Sequence, residues 1–344
     1  MMTRLGKLSI DKQHAFAESI NGLSISPLLQ DICLRFAQCE IYARSATLLA
    51  EGLNLPSIYA TQLHRLVESH APAVAAQLHE VLPQLPVIEP DAVQPDAVCA
   101  QADGSMIRCQ SGWKEVKVGR IFALSDCQPS PVANRGGQLT RSTYAAHLGR
   151  ADDFKPIFSR QITHCQTYSQ THKLSLVFLS DGAPWLRHYM AGQHPDAELV
   201  LDFYHVMEHL GRVAEATISC SKKGKRWLDE QSKLLKDSCL DQVMTHIRVL
   251  PYGESQQTVL AYLTSNADRM DYKRYLSLGW PIGSGAVEAA HRVLVQARLK
   301  RSGQYWSEAG AQRVLNLRVL AESDRWDLVR ALFRPGETSY AMAA

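Results

Sequence analysis

Asp103, Asp181 and Asp202 each follow a short apolar run, and Glu288 stands just inside a helix that opens after Pro281-Ile282-Gly283-Ser284-Gly285. Carboxylates that converge hold hard divalent cations, because ions such as Mg2+ prefer oxygen ligands. Behind Glu288 come Arg298, Lys300, Arg301 and Arg313, with Trp306 among them. Residues 281–334 carry nine Arg or Lys against five Asp or Glu. A local excess of that kind suits a polyanion. One acid at a helix start, followed by cations and an exposed Trp306, is odd for plain packing. It makes sense if the acid holds a metal and the cations hold a polyanion. The plainer reading of an Asp after a strand is a turn former or the N-cap of the next helix. That reading weakens when the arrangement recurs three times before a Glu-bearing helix. Asp126, in LSDCQPS, is read as a plain turn and left out of the site.

The elements that must position these residues follow from periodicity. Residues 97–102, 114–124 and 139–148 read as strands, the first ending on Asp103-Gly104. Residues 152–169 read as a helix with Phe154, Ile157, Phe158 and Ile162 inward. The continuous apolar run 174–179 reads as a buried strand ending before Asp181. A helix over 184–192 follows, with Pro184 in its first turn. Leu199 to Leu201 form another strand, ending on Asp202-Phe203-Tyr204-His205. This is an α/β pattern, in which ligands gather beyond the carboxyl ends of strands, so Asp103, Asp181 and Asp202 are expected to converge. Residues 206–280 read as an all-α insertion, with helices at 206–218, 231–250, 255–264 and 268–276. Its basic run Lys222-Lys223-Gly224-Lys225-Arg226 is either a solvated face or a phosphate contact. The final helices occupy 281–335, with Ser284 and Ser307 as N-cap candidates, and a flexible tail is expected over 336–344.

Ahead of the strands, residues 1–82 read as a helical region. Apolar spacing predicts a helix over 27–50 and a second over 57–69, capped by Ser57, with a turn at 54–56. Helix, short turn, helix is the form of a helix-turn-helix, and equally of a hairpin that only packs. Four prolines in 83–96 predict an extended linker.

With 344 residues the chain is long enough for a large core. Its net charge of +3 is weak, so a polyanion site must come from local clustering. No apolar run approaches the ~20 residues of a membrane span, and the N-terminus lacks the apolar core of a signal peptide. A cytoplasmic protein with no membrane partner is expected. The eight cysteines form no CxxC pair, which argues against a zinc finger and leaves them as buried apolar residues. Neither GxxxxGK[ST] nor GxGxxG follows a strand, which disfavours P-loop nucleotide hydrolysis.

Four blocks carry a resemblance. They are Asp103-Gly104-Ser105 followed by SGWKEVKVG, then FLSDGAPWL with Asp181, LVLDFYHVMEHL with Asp202 and His205, and PIGSGAVEAAHRVLVQARLKRSGQYWS with Glu288. Over about residues 25–320 the chain resembles the DDE transposases of bacterial insertion sequences, nearest to the ISKra4 group and more distantly the Mutator-like set. The resemblance implies an RNase H-like core, 97–205 and 281–335, interrupted by the all-α insertion. It places the acidic triad on Asp103, Asp181 and Glu288, and the supporting D-x-x-H motif on Asp202 and His205. It implies two Mg2+ or Mn2+ ions, with Asp103 bridging and Asp181 and Glu288 flanking. Arg298, Lys300, Arg301 and Arg313 become phosphate contacts and Trp306 a stacking surface. The partners implied are double-stranded DNA, at element ends and target, and further copies of the chain, in a nucleoid-associated cytoplasmic setting. The implied activity is cleavage and strand transfer of DNA. A DNA-binding derivative of the same fold that cuts poorly or not at all is the alternative.

Overall fold

The computed structural model describes residues 25–53, 58–84, 97–128, 137–167 and 174–333, with two-residue strands at Met2–Thr3 and Gly6–Lys7. Its centre is a sheet of five strands: β1 (Ala97–Cys109), β2 (Gly112–Ala123), β3 (Thr143–Leu148), β4 (Ser175–Ser180) and β5 (Glu198–Leu201). Their order is β3-β2-β1-β4-β5. β1, β4 and β5 run parallel, and β2 is antiparallel to both of its neighbours. The fold is α/β with a mixed sheet.

β1 departs from expectation by continuing through Asp103-Gly104 to Cys109. Pairing explains this. Residues 104–109 face 112–117 of β2 across a two-residue turn, and Gly112 supplies the positive φ of 106° that closes the hairpin. Ile107 and Cys109 are buried while Met106 and Arg108 point out, a half-buried alternation that keeps the strand going. The strand expected over 139–148 is shorter, at Thr143–Leu148, with a small ribbon pairing Cys127–Gln128 to Gln138–Leu139 ahead of it.

Both faces of the sheet are covered. On one, α4 (Ala151–Thr167) and α5 (Pro184–Gln193) bury Phe154, Phe158, Ile162, Leu186 and Tyr189 against alternate residues of β1 and β4. Gly119 of β2 admits the Phe158 ring, since a Cβ there would stand 2.4 Å from it. The other face is divided. One half packs on the helices between β5 and the last helical set: α6 (Phe203–Thr217), α7 (Ser221–Lys236), α8 (Leu240–Arg248), α9 (Glu254–Asn266) and α10 (Tyr272–Ser277). The single helix expected over 231–250 is instead split between α7 and α8, where Ser238 takes a positive φ of 58°.

The other half packs on α11 (Gly285–Ala290), α12 (Ala297–Leu299), α13 (Glu308–Glu322) and α14 (Trp326–Ala331), with a wide π-helical turn at His291–Gln296 joining α11 to α12. The same cluster takes in α1 (Pro27–Cys39), α2 (Tyr42–Leu53) and α3 (Ala60–Ala76). The one helix expected over 27–50 is therefore two. Extended backbone at Glu40 ends α1, and the Ser45 hydroxyl donates to the Phe36 carbonyl near that end. Ser57 and the turn at 54–56 lie outside the described residues, as do 85–96 of the proline-rich segment and the tail. Tyr59 is the N-cap of α3. The cysteines divide: Cys33, Cys99, Cys109 and Cys165 are buried, whereas Cys39, Cys127 and Cys220 are exposed. Among the described residues, no helix is long and apolar enough to cross a membrane.

Candidate active site

The register of the parallel strands sets the acids. β1 pairs with β4 up to Gln101↔Leu179, and β4 with β5 up to Ser180↔Leu201. Carried on past those last pairs, the same register puts Asp103, Asp181 and Asp202 on one rung, at the carboxyl ends of β4 and β5 and beside the middle of β1. The rung falls at the seam between the two apolar clusters on the divided face.

The chain returns to this seam from the helical interval through residues 280–287. Trp280 stacks on Tyr275, and its backbone N–H donates to the Tyr275 carbonyl. The Phe203 N–H donates to the Ile282 carbonyl at 2.8 Å. Gln101, 0% exposed within β1, donates to the Gly283 carbonyl at 3.3 Å and accepts from the Val287 N–H at 3.0 Å. Arg120 of β2 donates to the Ala286 carbonyl at 2.8 Å. These bonds fix the start of α11 on the sheet and so fix Glu288, which is exposed and accepts from the Ser284 hydroxyl at 3.2 Å. Ser284 stands at the N-cap position, yet its hydroxyl caps no backbone group.

Asp202 belongs to the same stapling. Its Oδ1 accepts from the Tyr204 and His205 N–H groups at 2.7 and 3.3 Å, capping α6, and its Oδ2 accepts from the Ser284 N–H at 3.2 Å. It is 3% exposed. Both oxygens are committed to backbone donors, so Asp202 joins β5, α6 and the return turn. His205 turns away from it, toward Glu208 at 3.5 Å and edge-on to Tyr262. Tyr262, on α9, donates to the Asp181 carbonyl and stacks on His209. The helical interval thus supports the turn after β4. In that turn Asp181 Oδ1 accepts from the Ala183 N–H at 2.9 Å, and Gly182 takes the positive φ of 95°.

Asp103 is half-buried, and its Oδ1 accepts from its neighbour's N–H at 2.7 Å. Burial raises its pKa, and the charges of Asp181, Glu115 and Glu288 add to the rise against that hydrogen bond. Acids that raise a neighbour's proton affinity are suited to share a cation with it. Among the described residues, however, no three His, Cys, Asp or Glu side chains stand close enough to hold one as they are. His291 lies one turn beyond Glu288, with its Nε2 3.6 Å from Asp103 Oδ2. Lys300, exposed, donates to the Ser105 hydroxyl two residues along β1 from Asp103.

Burial corrects the expected role of Arg298 and of Trp306, while Arg301 and Arg313 stay part-exposed in ion pairs. Arg298 is 1% exposed: it lies between the Tyr42 and Trp306 rings and donates to the Ala37 carbonyl at 3.2 Å. Trp306 is 9% exposed, with its indole N–H bonded to the Leu299 carbonyl, so it offers no stacking surface. Arg301 pairs with Glu40 and reaches the Cys39 carbonyl, and Arg313 pairs with Glu68. Arg318 donates to the Gln38 carbonyl at 2.8 Å. Ala37, Gln38 and Cys39 end α1, whose last turn holds no basic residue. Their carbonyls lack helical partners and carry the negative end of the helix dipole. Arg298, Arg301 and Arg318 supply that missing cap and clamp the N-terminal helices to the site-bearing ones. A cluster of exposed cations lies on α7 instead, at Lys222, Lys223, Lys225 and Arg226.

Gln101, Arg120, Tyr262 and His291 were missed by sequence reasoning. Gln101 had a signal, a lone amide within an apolar strand. His291 had one too, since Glu288 and His291 share a helix face at i,i+3 spacing. Arg120 and Tyr262 had none.

No family model matches the chain. It is similar to a protein from Streptococcus gallolyticus described as "UPF0236 protein in vanSb 3'region", with 23% identity over 245 residues. The similarity covers 70% of this chain and 52% of that protein, so the chain spans about half the length of the curated relative it matches.

Proposed function

We propose that the chain is a metal-dependent DNA strand-cleaving and strand-joining enzyme of the DDE transposase type, on an RNase H-like core. The observation that carries the reading is the place of Asp103 and Asp181, each two residues past the last pair of the neighbouring parallel strands β1 and β4, with Glu288 stapled nearby through Gln101, Asp202 and Arg120. The strand order, with one antiparallel strand inside a mixed sheet, supports the same core. So does the raised proton affinity of Asp103, because carboxylates that repel when bare are the donor set that gains most from a shared cation.

Asp103, Asp181 and Glu288 would hold Mg2+ or Mn2+, which when bound supplies charge neutralisation at phosphorus and an activated attacking oxygen. Asp202 and the Gln101 amide hold the return turn that aims Glu288. Lys300 places a cation next to Asp103 on the exposed side, where a phosphate would approach. The exposed face of α7 is the second basic surface for duplex DNA, through contacts that carry no base information.

A second reading is a DNA-binding derivative that does not cut. It is favoured by the separation of the acids, which are neighbours without being gathered around a common point. One experiment decides between the two. The chain is incubated with duplex carrying the terminal repeats of its own element, with Mg2+, with Mn2+ and without metal. Metal-dependent nicking and strand transfer that vanish in Asp103→Ala, Asp181→Ala and Glu288→Ala are expected. Binding without any cleavage by the parent chain overturns the enzyme reading.

A further inference from the structure

The hairpin of β1 and β2 carries an exposed feature that the acids do not use. Arg108 and Trp113 stand opposite each other in the ladder, and both point away from the face that buries Ile107 and Cys109. Residues 305–307 run beside the end of β1. There the Trp306 N–H donates to the Arg108 carbonyl at 3.2 Å, and the Gln110 N–H donates to the Trp306 carbonyl at 2.8 Å. That pairing brings the Tyr305 ring to Arg108. The guanidinium carbon lies 5.0 Å from the centre of the Tyr305 ring and 5.8 Å from that of Trp113. Both aromatic residues are 61% exposed, and Met106 lies exposed on the same strand face. One exposed aromatic side chain is ordinary. Three planar groups held together on paired backbone, with their faces open, mark a binding surface. The patch continues into a pocket. Tyr305 also lines a cavity of about 410 Å³ against α2 and α3, with Tyr42, His64, Gln110 and Gln304 on its walls. That is the size of a site for one small molecule or one splayed nucleotide. The acids nearby are already neutralised, Glu68 by Arg313, Glu308 by Lys114 and Glu115 by Lys117. Arg108 therefore leaves the patch positively charged.

We propose that Trp113, Arg108 and Tyr305 form a stacking platform for the unpaired bases of a DNA single strand, with the pocket taking the next base along. The proposal rests on the reading that the chain acts on DNA, and it adds the state of that DNA. Aromatic rings stack on any base, but only where the base face is open, so a closed duplex cannot use them. Arg108 adds a planar cation to the same stack. It lies five residues beyond Asp103 on one strand, ~17 Å at ~3.3 Å per residue. At ~3.4 Å per nucleotide of one DNA strand, that is about five nucleotides from the acids. The platform thus holds a strand freed beside the bond that is cut.

The test uses the full chain without metal and two labelled DNAs, a blunt duplex and oligo(dT) of about 15 nucleotides, long enough to span one such site. Affinity is read by fluorescence anisotropy, and contacts by crosslinking to 5-iodouracil placed in the single strand. Wild-type protein is expected to bind oligo(dT) and to crosslink at Trp113 or Tyr305. Trp113→Ala and Tyr305→Ala should each weaken oligo(dT) binding about 5- to 100-fold, with blunt-duplex affinity little changed. Trp113→Phe should recover most of the loss, because it restores a ring that stacks. Duplex binding with no oligo(dT) binding, or crosslinks confined to other residues, overturns the proposal and leaves the DNA reading standing. So does oligo(dT) affinity that both alanine variants leave unchanged; if Trp113→Ala then also loses self-association, the patch is a contact between copies of the chain. Absence of binding to either DNA overturns both readings. Crosslink mapping needs no variant, so it decides the matter even if an alanine variant fails to fold.

Discussion

Replacing Gln101 by Leu tests whether the return turn is held to the sheet by one buried amide. The side chain makes two bonds, from the Val287 N–H and to the Gly283 carbonyl, at 3.0 and 3.3 Å. Val287 is 2% exposed, but its N–H is shared with the Ser284 carbonyl at 2.9 Å and keeps that acceptor, so losing the amide oxygen costs about 0.5–1.5 kcal/mol. Gly283 is only part-buried and its bond is long, so water replaces it at about 0–1 kcal/mol. Leu is close to Gln in size and returns little, because the site it enters is polar. The net cost is about 1–2 kcal/mol, concentrated where α11 meets β1. Hydrogen exchange of residues 283–288, measured by mass spectrometry, should then quicken by about 5- to 30-fold, at tenfold per 1.4 kcal/mol. Exchange in α4, on the opposite face, should stay near wild type. Glu288 loses its fixed position, so Mn2+ affinity should fall in parallel. Unchanged protection at Val287, together with unchanged stability, would refute the claim that Gln101 positions Glu288.

Four further outcomes follow from the same architecture. Asp202→Asn keeps one acceptor for the α6 cap but turns an NH2 toward the Ser284 N–H, and should cost about 1–2 kcal/mol in urea denaturation. Asp181→Asn keeps its bond from Ala183 and should stay within about 0.5 kcal/mol of wild type while abolishing metal-dependent cleavage; equal drops in stability in the two variants would contradict the division between staple and ligand. Arg298→Ala should lower stability by about 2–4 kcal/mol, because the Ala37 carbonyl is left without its donor and the Tyr42 and Trp306 rings without their cation, with the salt dependence of duplex binding unchanged. Combined Ala substitution of Lys222, Lys223, Lys225 and Arg226 should flatten that dependence, by about 0.9 for each phosphate no longer neutralised, and a flatter slope in Arg298→Ala would restore Arg298 to the DNA-binding surface.

A pH titration supplies another test. His70 is buried, and Gln30, whose NH2 donates to the Ile25 carbonyl, presents its oxygen to His70 Nε2 at 2.7 Å. The ring nitrogen facing that oxygen therefore carries a proton, and burial holds the ring's pKa below 6.5. The unfolded chain binds a second proton there more readily than the folded one. The contribution is thus full above pH 6.5 and is lost as pH falls through 6.5 toward the folded value. The drop in Tm between pH 7.5 and 5.5 should be smaller in His70→Gln than in wild type.

The strands and their acids were legible because they depend on local pattern. Leu174 to Ser180 has the continuous apolar run of a buried strand, and an Asp after each of two parallel strands marks the sheet end where ligands collect. The overrun of β1 past Asp103 was not legible. Asp-Gly reads as a stop, and only the facing strand, with its own hairpin turn, shows that the ladder continues. Asp202 illustrates a different limit. An N-cap and a metal ligand ask for the same residue after a strand, and what separates them is a single N–H from Ser284, 82 residues away.

The basic cluster shows the limit most clearly. Read locally, Arg298, Arg301 and Arg313 belong to a polyanion, because that is what charge near an acidic site means within its own neighbourhood. Their partners, Ala37, Glu40 and Glu68, lie more than 240 residues back, at separations of 261, 261 and 245. Yet the demand they meet is visible in α1 itself. That helix ends on Gln38-Cys39-Glu40 with no glycine to turn the chain and no cation in its last turn, so its terminal carbonyls had to be met from outside. A helix that ends uncapped predicts a donor somewhere in the chain, and a cluster of arginines on a mainly apolar helix is the natural candidate. Set against each other, rather than each against its own neighbourhood, those two local anomalies separate cations that hold a fold together from cations left exposed to solvent.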